Sequence, residues 1–338
     1  MTPSLAIAGR ETPWFDDVLL AEELRSRAVE VDLVDWRSTD FEPGRYDAIY
    51  VSSIWNLREE PDAFLRWLTK CEEDGRRRLI NDARVLRDGV IKSVYLSELA
   101  ATFGEDDKRS GSITPSRFFS RDGSPEHHTQ AAAARAFADI VGELDEQRAW
   151  RGRDLVLKPI VSADGHNTFV VAREAPIPTV RPEHLLDECG AERVFRSIIQ
   201  ADGGYGAILQ SYQAGIERGE YSLVFLRGVF SHAILKPPGF RSSDTSKRRA
   251  LVRQDLPPGM LSFAQDVVEW ALGHYGDGAV TRARIDLIQA DRGPVLCEME
   301  CVEPNTNLRS FGESAQAMIV AVYADAVQAR LGELRQVI

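Results

Sequence analysis

The stretch from Ala283 to Leu308 reads A-R-I-D-L-I-Q-A-D-R-G-P-V-L-C-E-M-E-C-V-E-P-N-T-N-L. Two apolar runs flank the turn-forming A-D-R-G, so residues 281–289 and 294–303 are expected to pair as a β-hairpin. Four acids stand out in strands this apolar: Asp286, Glu298, Glu300 and Glu303. Residues two apart on a strand face the same side. Glu298 and Glu300 therefore project together, with Met299 opposite, and hairpin pairing lets Asp286 reach them. Carboxylates buried together repel one another and lose their water unless a cation neutralises them. Magnesium takes hard oxygen ligands and accompanies phosphates, which makes this a candidate two-ion, nucleotide-phosphate site. The competing reading is a solvated strand face whose carboxylates never meet.

Working outward, Leu155-Val156-Leu157-Lys158-Pro159 is a strand ending in a lysine. It feeds the turn Ser162-Ala163-Asp164-Gly165-His166-Asn167-Thr168, and 168–173 reads as the returning strand. Small residues let backbone N–H groups close around phosphate oxygens, and the lysine supplies charge; a plain hairpin turn is the alternative. His166 reads as phosphate-side or solvent-facing ahead of a catalytic base. The P-loop and dinucleotide glycine signatures are absent. Strands are expected over 206–212, 220–227 and 229–237, then a mixed-charge loop, G-F-R-S-S-D-T-S-K-R-R, over 239–249. Helical spacing predicts a helix over 263–275 and a last one over 313–337. In the latter, Ala315, Met318, Ile319, Val322, Tyr323 and Ala326 form the expected buried stripe. Alanine-rich 127–150, with Phe137, Ile140, Val141 and Leu144 at helical spacing, is expected to be one long helix. Before it, strands at 4–9, 29–36, 48–53 and 78–81 alternate with helices at 17–28 and 62–71, the pattern of a parallel sheet.

The length of 338 residues fits two to three domains, divided here as 1–110, 111–212 and 213–338. A net charge of −11 argues against a nucleic-acid partner. No apolar run approaches the ~20 residues of a membrane span, and the first residues lack a basic, apolar leader. Cys71, Cys189, Cys297 and Cys301 form no C-x-x-C pair. A reducing cytoplasm is expected, with Cys297 and Cys301 as small hydrophobes.

The order of these segments resembles the ATP-grasp superfamily. It runs Lys158-Pro159, the glycine turn, Ile208-Leu209-Gln210-Ser211-Tyr212, Gly219-Glu220-Tyr221-Ser222, His232 to Lys236, Ala283-Arg284-Ile285-Asp286, and Glu298 to Pro304. The chain is most similar to the branch near prokaryotic glutathione synthetase and the O-ureido-serine cyclo-ligase of cycloserine biosynthesis, over roughly 78–330. The fold implied is α/β (α+β), an N-terminal parallel-sheet domain followed by two α+β lobes clasping ATP. The resemblance implies that Lys92 and Lys158 contact ATP and that Ser162, Gly165 and Thr168 lie over its phosphates. It implies that Gln210, Ser211 and Tyr212 meet adenine, and that Glu220 takes the ribose. It further implies that Lys236 and Arg284 are the catalytic cations, and that Asp286, Glu298 and Glu300 hold two magnesium ions. Ser53, Trp55, Asn56, Arg241, Glu303 and Asn305 are the substrate-facing candidates. Relatives typically read R-S-x-W-D-Y where this chain has Ser52-Ser53-Ile54-Trp55-Asn56-Leu57, so their substrate is not carried over.

The activity implied is a carboxylate–amine ligase acting through an acyl phosphate, on an amino acid or small peptide. An intramolecular cyclo-ligase is its variant, and a small-molecule kinase or a silent nucleotide-binding regulator are its rivals. The basic loop over 239–253 reads equally as an anion clamp or as a mobile charged loop. The expected partners are a small-molecule carboxylate and an amine, with a homodimer expected by analogy.

Overall fold

The computed structural model describes residues 2–104, 111–163, 165–174, 177, 180–201, 204–237 and 247–336. The first sheet is all parallel. Its strands are β1 (Ser4–Gly9), β2 (Glu30–Asp35), β3 (Ala48–Val51) and β4 (Leu79–Ile80), in the order β2-β1-β3-β4. The inner strands β1 and β3 are almost wholly buried, so they read as unbroken apolar runs rather than alternating ones. Helices α1 (Phe15–Ser26), α2 (Pro61–Cys71), α3 (Ala83–Val90) and α4 (Lys92–Thr102) complete this part.

Strand β5 (Ser112–Ile113) belongs to the last sheet, where it pairs parallel with a strand nearly two hundred residues later. The second sheet contains β6 (Ser116–Ser120), β7 (Gln130–Ala131), β8 (Leu155–Pro159), β9 (Phe169–Val171), β10 (Leu185–Leu186) and β11 (Ala207–Ser211), in the order β10-β9-β8-β11-β6-β7. Helices α5 (Phe137–Asp145) and α6 (Glu188–Gln200) pack on it through Phe137, Ile140, Leu144, Phe195 and Ile199.

The third sheet joins β12 (Glu220–Leu226), β13 (Val229–Lys236), β14 (Arg249–Leu251), β15 (Arg282–Ala290) and β16 (Gly293–Glu300) in the order β14-β13-β12-β15-β16-β5. Helix α7 (Met260–Tyr275) lies in one core with Leu223, Phe225, Ile285 and Met299. Alternation then sends Ser222, Arg284, Asp286, Glu298 and Glu300 to the other face. Helix α8 (Glu313–Gln336) returns to the first sheet, where Tyr323, Val327 and Leu331 share a core with Leu5, Ile7 and α1.

Two expectations are corrected. The long helix over 127–150 is only α5; Gln130–Ala131 pairs with β6 as a strand. Sheet pairing overrides the helical preference of alanine, a weak bias of a few tenths of a kcal/mol per residue. The stripe on α8 is rotated: Met318 and Val322 are 66% and 49% exposed, while Val320, Ala324, Leu331 and Leu334 are buried with Tyr323 and Ala326. Packing on the first sheet, rather than the local apolar count, selects the buried face.

A buried amide stitches the first sheet to the third. Asn81 Nδ2 donates to the carbonyls of Arg282 and Cys301 at 2.7 and 2.6 Å, and its Oδ1 accepts the Thr281 and Arg282 N–H groups at 2.7 and 2.9 Å. The Arg282 guanidinium lies between the rings of Tyr50 and Tyr323, 4.7 and 5.6 Å from their centroids, and donates to the Val51 carbonyl at 3.0 Å.

Candidate active site

The hairpin of β15 and β16 pairs Asp286 with Glu298 and Arg284 with Glu300. Strand β12 sets Ser222 beside Asp286, and β13 sets Lys236 beside Glu220. One sheet face thus carries Glu220, Lys236, Arg284, Asp286, Glu298 and Glu300. Asp286, 2% exposed, accepts hydrogen bonds from Ser222 Oγ at 2.6 Å, Lys236 Nζ at 3.0 Å, and Arg284 Nε and Nη2 at 2.8 Å. Lys236 also reaches Glu220 at 2.8 Å. Burial alone would raise Asp286, but Arg284 and Lys236 hold its carboxyl well below the usual range.

Lys92, at the start of α4, joins three separate predictions. Its ammonium lies 2.8 Å from Glu298 and donates to the carbonyl and hydroxyl of Ser162 at 2.7 and 3.2 Å. Burial works against its charge, yet Glu298 and Glu300 keep its pKa raised. Against burial, Lys92 and then Lys158 hold Glu298 low. Glu300 is pushed up by burial and by Glu298, although its Oε1 accepts the Val302 and Glu303 N–H groups at 2.7 and 3.1 Å. Lys158 is pushed down by burial and by Lys92. Among the described residues, no three carboxylate, histidine or cysteine side chains close around a single point as a metal cage. The acids share a face, but ammonium, guanidinium and backbone N–H groups engage their oxygens.

The other nucleotide candidates flank this face. Ser211 and Tyr212 follow Gln210 through the end of β11, where the second sheet passes to the third. Gln210 Nε2 donates to Ser116 Oγ at 2.9 Å, and the buried Ser211 hydroxyl has no hydrogen-bond partner among the described residues. Tyr212 packs with Val170, Ile216, Ile288 and Val156 in an apolar cluster between the two sheets. Val156, Val170 and Ile288 escaped the sequence reading. Val156 was within reach of it, since it lies two residues before Lys158 on the same face of β8. Gly165 has a φ of +67°; it and His166 beside it are exposed, and Thr168 is half-buried.

Cys297 is displaced by a register shift opposite Asp286 and Leu287, so it is only half-buried, against the apolar cluster. Cys301 is fully buried. All four cysteines are free.

Of the substrate candidates, Ser53, Trp55, Glu303 and Asn305 line one small cavity between the first sheet and the segment after β16. Asn56 points elsewhere: its Oδ1 accepts from Trp36 Nε1 at 2.9 Å. Arg241 lies outside the described residues. The cavity is also lined by Trp14, Asp16, Asp17, Arg282 and Thr306, which the sequence reading passed over. A signal existed for Asp17. It is spaced i, i+3, i+4, i+7 with Leu20, Ala21 and Leu24, the buried stripe of α1.

Comparison with known proteins finds relatives of similar sequence and fold. Residues 5–81 match the family described as D-cycloserine synthetase DcsG, N-terminal domain. The chain is 27% identical over 320 residues to the cycloserine biosynthesis protein DcsG of Streptomyces lavendulae, covering 92% of this chain and 93% of that protein. The crystal structure of D-cycloserine synthetase DcsG superposes with a TM-score of 0.73 at 22% identity, over 97% of this chain and 99% of that one. The ATP-grasp ligase PsnB, solved with a precursor variant, Mg and ADP, gives a TM-score of 0.54 at 14% identity, over 98% of each chain. The chain thus has the fold of the ATP-grasp ligases, and its sequence is similar over most of its length to that of the cycloserine biosynthesis protein DcsG.

Proposed function

We propose that this chain is an ATP- and magnesium-dependent carboxylate–amine ligase that acts on an amino acid or small peptide in specialised metabolism. The observation that carries the reading is the interleaving of Lys92, Lys158, Lys236 and Arg284 with Glu220, Asp286, Glu298 and Glu300 on one partly buried face. Such a face is close to neutral. It suits a polyanion that arrives with its own cations, because burying either charge alone is costly.

The donor chemistry fits magnesium: Asp286, Glu298 and Glu300 offer hard carboxylate oxygens from neighbouring register positions. These residues would hold two ions, with Lys92 and Lys236 exchanging their carboxylate contacts for phosphate oxygens. When bound, magnesium neutralises charge on the phosphates. The Val156, Tyr212 and Ile288 cluster stacks the base beside Gln210 and Ser211, and Glu220 accepts from the ribose hydroxyls. Ser162, Gly165 and Thr168 close over the phosphates.

The substrate carboxylate attacks the γ-phosphorus, and the bond to the bridging oxygen of ADP breaks. Lys236 and Arg284 stabilise the charge developing on the transferred group, work that is mostly positioning and electrostatics. An amine then attacks the acyl carbon, phosphate leaves, and the amine gives up its proton to form the amide. The divisions 1–110, 111–212 and 213–338 serve as a substrate domain, a central lobe over the nucleotide and a lobe carrying the carboxylates. Among the described residues no helix is long and apolar enough to cross a membrane. A cytoplasmic enzyme, working as a homodimer, is part of the reading.

The test is a coupled screen for ADP release over amino-acid pairs with magnesium, with products read by mass spectrometry. An amide, or a cyclised amide, together with ADP and free phosphate supports the ligase. A stable phosphorylated product without free phosphate supports a kinase instead. No ADP across the panel leaves only nucleotide binding.

A further inference from the structure

The acids on the charged sheet face have their lone pairs taken by the chain's own donors. An ionised carboxylate offers about four lone-pair sites. Asp286 Oδ1 accepts from Ser222 Oγ at 2.6 Å and Arg284 Nε at 2.8 Å, and Oδ2 accepts from Lys236 Nζ at 3.0 Å and Arg284 Nη2 at 2.8 Å. All of its sites are in use. Glu298 Oε1 faces the Lys92 ammonium at 2.8 Å. An ammonium group has three donors, and the other two of Lys92 go to the carbonyl and hydroxyl oxygens of Ser162 at 2.7 and 3.2 Å. Glu300 Oε1 accepts the Val302 and Glu303 N–H groups. Neither lysine lies on the open surface: the Lys92 and Lys236 side chains are 8% and 17% exposed.

A divalent cation that approaches this face alone meets two obstacles. Magnesium needs oxygen lone pairs at about 2.0–2.1 Å and gives up its water reluctantly. The Asp286 oxygens have none to offer until a donor moves. The ion also meets the like charges of Lys92, Lys158, Lys236 and Arg284, in a partly buried setting where repulsion is stronger than in bulk water. Moving Lys92 or Lys236 aside, with no anion to receive it, strands an ammonium group in that setting. A triphosphate removes both obstacles, because its oxygens receive the ammonium groups as they leave the carboxylates.

We propose that Lys92 and Lys236 are internal placeholders for the metal: they close the carboxylates to free divalent cations and release them only when nucleotide phosphates draw the ammonium groups away. The proposal rests on the ligase reading and adds to it the order of binding, with nucleotide arriving before the metal or together with it. Lys92 ties this order to the loop after β8, since one ammonium group holds both Ser162 and Glu298. Removing a placeholder has two effects of opposite sign. A freed carboxylate favours a lone metal ion, whereas a lost phosphate partner disfavours nucleotide. General damage to the site weakens both.

The test titrates nucleotide-free protein with Mn²⁺, which shares magnesium's preference for octahedral oxygen ligands, and reads the free ion by electron paramagnetic resonance. Wild-type protein is expected to bind Mn²⁺ more weakly than about 1 mM. Lys92→Met is expected to bind it at least about tenfold more tightly, because the partner charge is left uncompensated. In calorimetry with adenylyl imidodiphosphate and saturating magnesium, the same variant is expected to bind the analogue at least about tenfold more weakly than wild type. Submillimolar Mn²⁺ binding by nucleotide-free wild type, unchanged or weaker Mn²⁺ binding in Lys92→Met, or unchanged analogue affinity in that variant would each overturn the proposal. If Lys92→Met fails to fold, Lys236→Met, which frees Asp286 and Glu220, is read in the same two ways; should neither fold, the wild-type titration decides. Failure of wild type to bind the analogue with magnesium is a separate result, and it removes the ligase assignment together with this inference.

Discussion

Glu298 and Asp286 face the same problem with different partners. Both are carboxylates on an apolar hairpin, Glu298 half-buried against Lys92 at 2.8 Å and Asp286 buried against Lys236 at 3.0 Å and Arg284 at 2.8 Å. Removing one charge therefore unbalances a set of buried ions, which is the costly operation, whereas an isosteric amide keeps shape and much of the hydrogen bonding. Glu298→Gln and Asp286→Asn are expected to leave the far-ultraviolet circular dichroism spectrum unchanged and to lower ADP release by at least about a hundredfold. Undiminished turnover in both would remove these acids from the machinery. The sequence showed these acids because an acid inside a Val/Leu/Ile run is conspicuous. It did not show Asp16 and Asp17, because a helix that opens on two aspartates is also what an exposed N-terminus looks like.

Among the elements, β16 and the start of α4 carry the most. Lys92 heads α4 and meets Ser162 after β8, so three elements far apart in sequence converge on one ammonium group. Asn81, just after β4, sets how the first sheet meets β15 and the end of β16. Its four hydrogen bonds leave two buried N–H and two carbonyl groups orphaned when it is removed. Asn81→Ala is expected to destabilise by about 3 kcal/mol or more, read as a lowered denaturant midpoint. A cost under about 0.5 kcal/mol would mean that water replaces the amide. Strands were legible at β8, β11, β12, β13 and the last hairpin, because each is a short apolar run bounded by turn or polar residues, although β11 is buried on both faces. The 127–150 segment was misjudged because alanine favours helix only weakly and the pairing of Gln130–Ala131 with the preceding strand β6 leaves no mark in composition. The register shift opposite Asp286 and Leu287 that displaces Cys297 leaves no mark in composition.

At the scale of the whole molecule, the last helix packs on the first sheet. Tyr323 and Val327 share a core with Leu5 and Ile7, and Arg330 bonds Asp82 at 2.6 Å. The cavity beside α1 is thus built from both ends of the chain, and the charged sheet face mostly from its middle and its end. A ligand that binds only this assembled form stabilises it by mass action, about 2.7 kcal/mol at a hundredfold excess over Kd. Magnesium with a non-hydrolysable ATP analogue is expected to raise the midpoint of thermal unfolding by several degrees, and EDTA with the same analogue by markedly less. Equal shifts with and without the metal would argue against the carboxylates as its ligands. The sequence by itself determined the strand and helix periods, the acidic hairpin, the order of the lysines and the ATP-grasp resemblance, because periodicity and a polar residue in an apolar run are local properties. Only the tertiary structure decided which acids are buried together and which face of α8 is covered. It alone set Asn56 against Trp36 and Asp17 into a cavity with Glu303. These are outcomes of packing between residues up to some three hundred positions apart, where burial in a shared low-dielectric space, rather than local pattern, sets each side chain's partner.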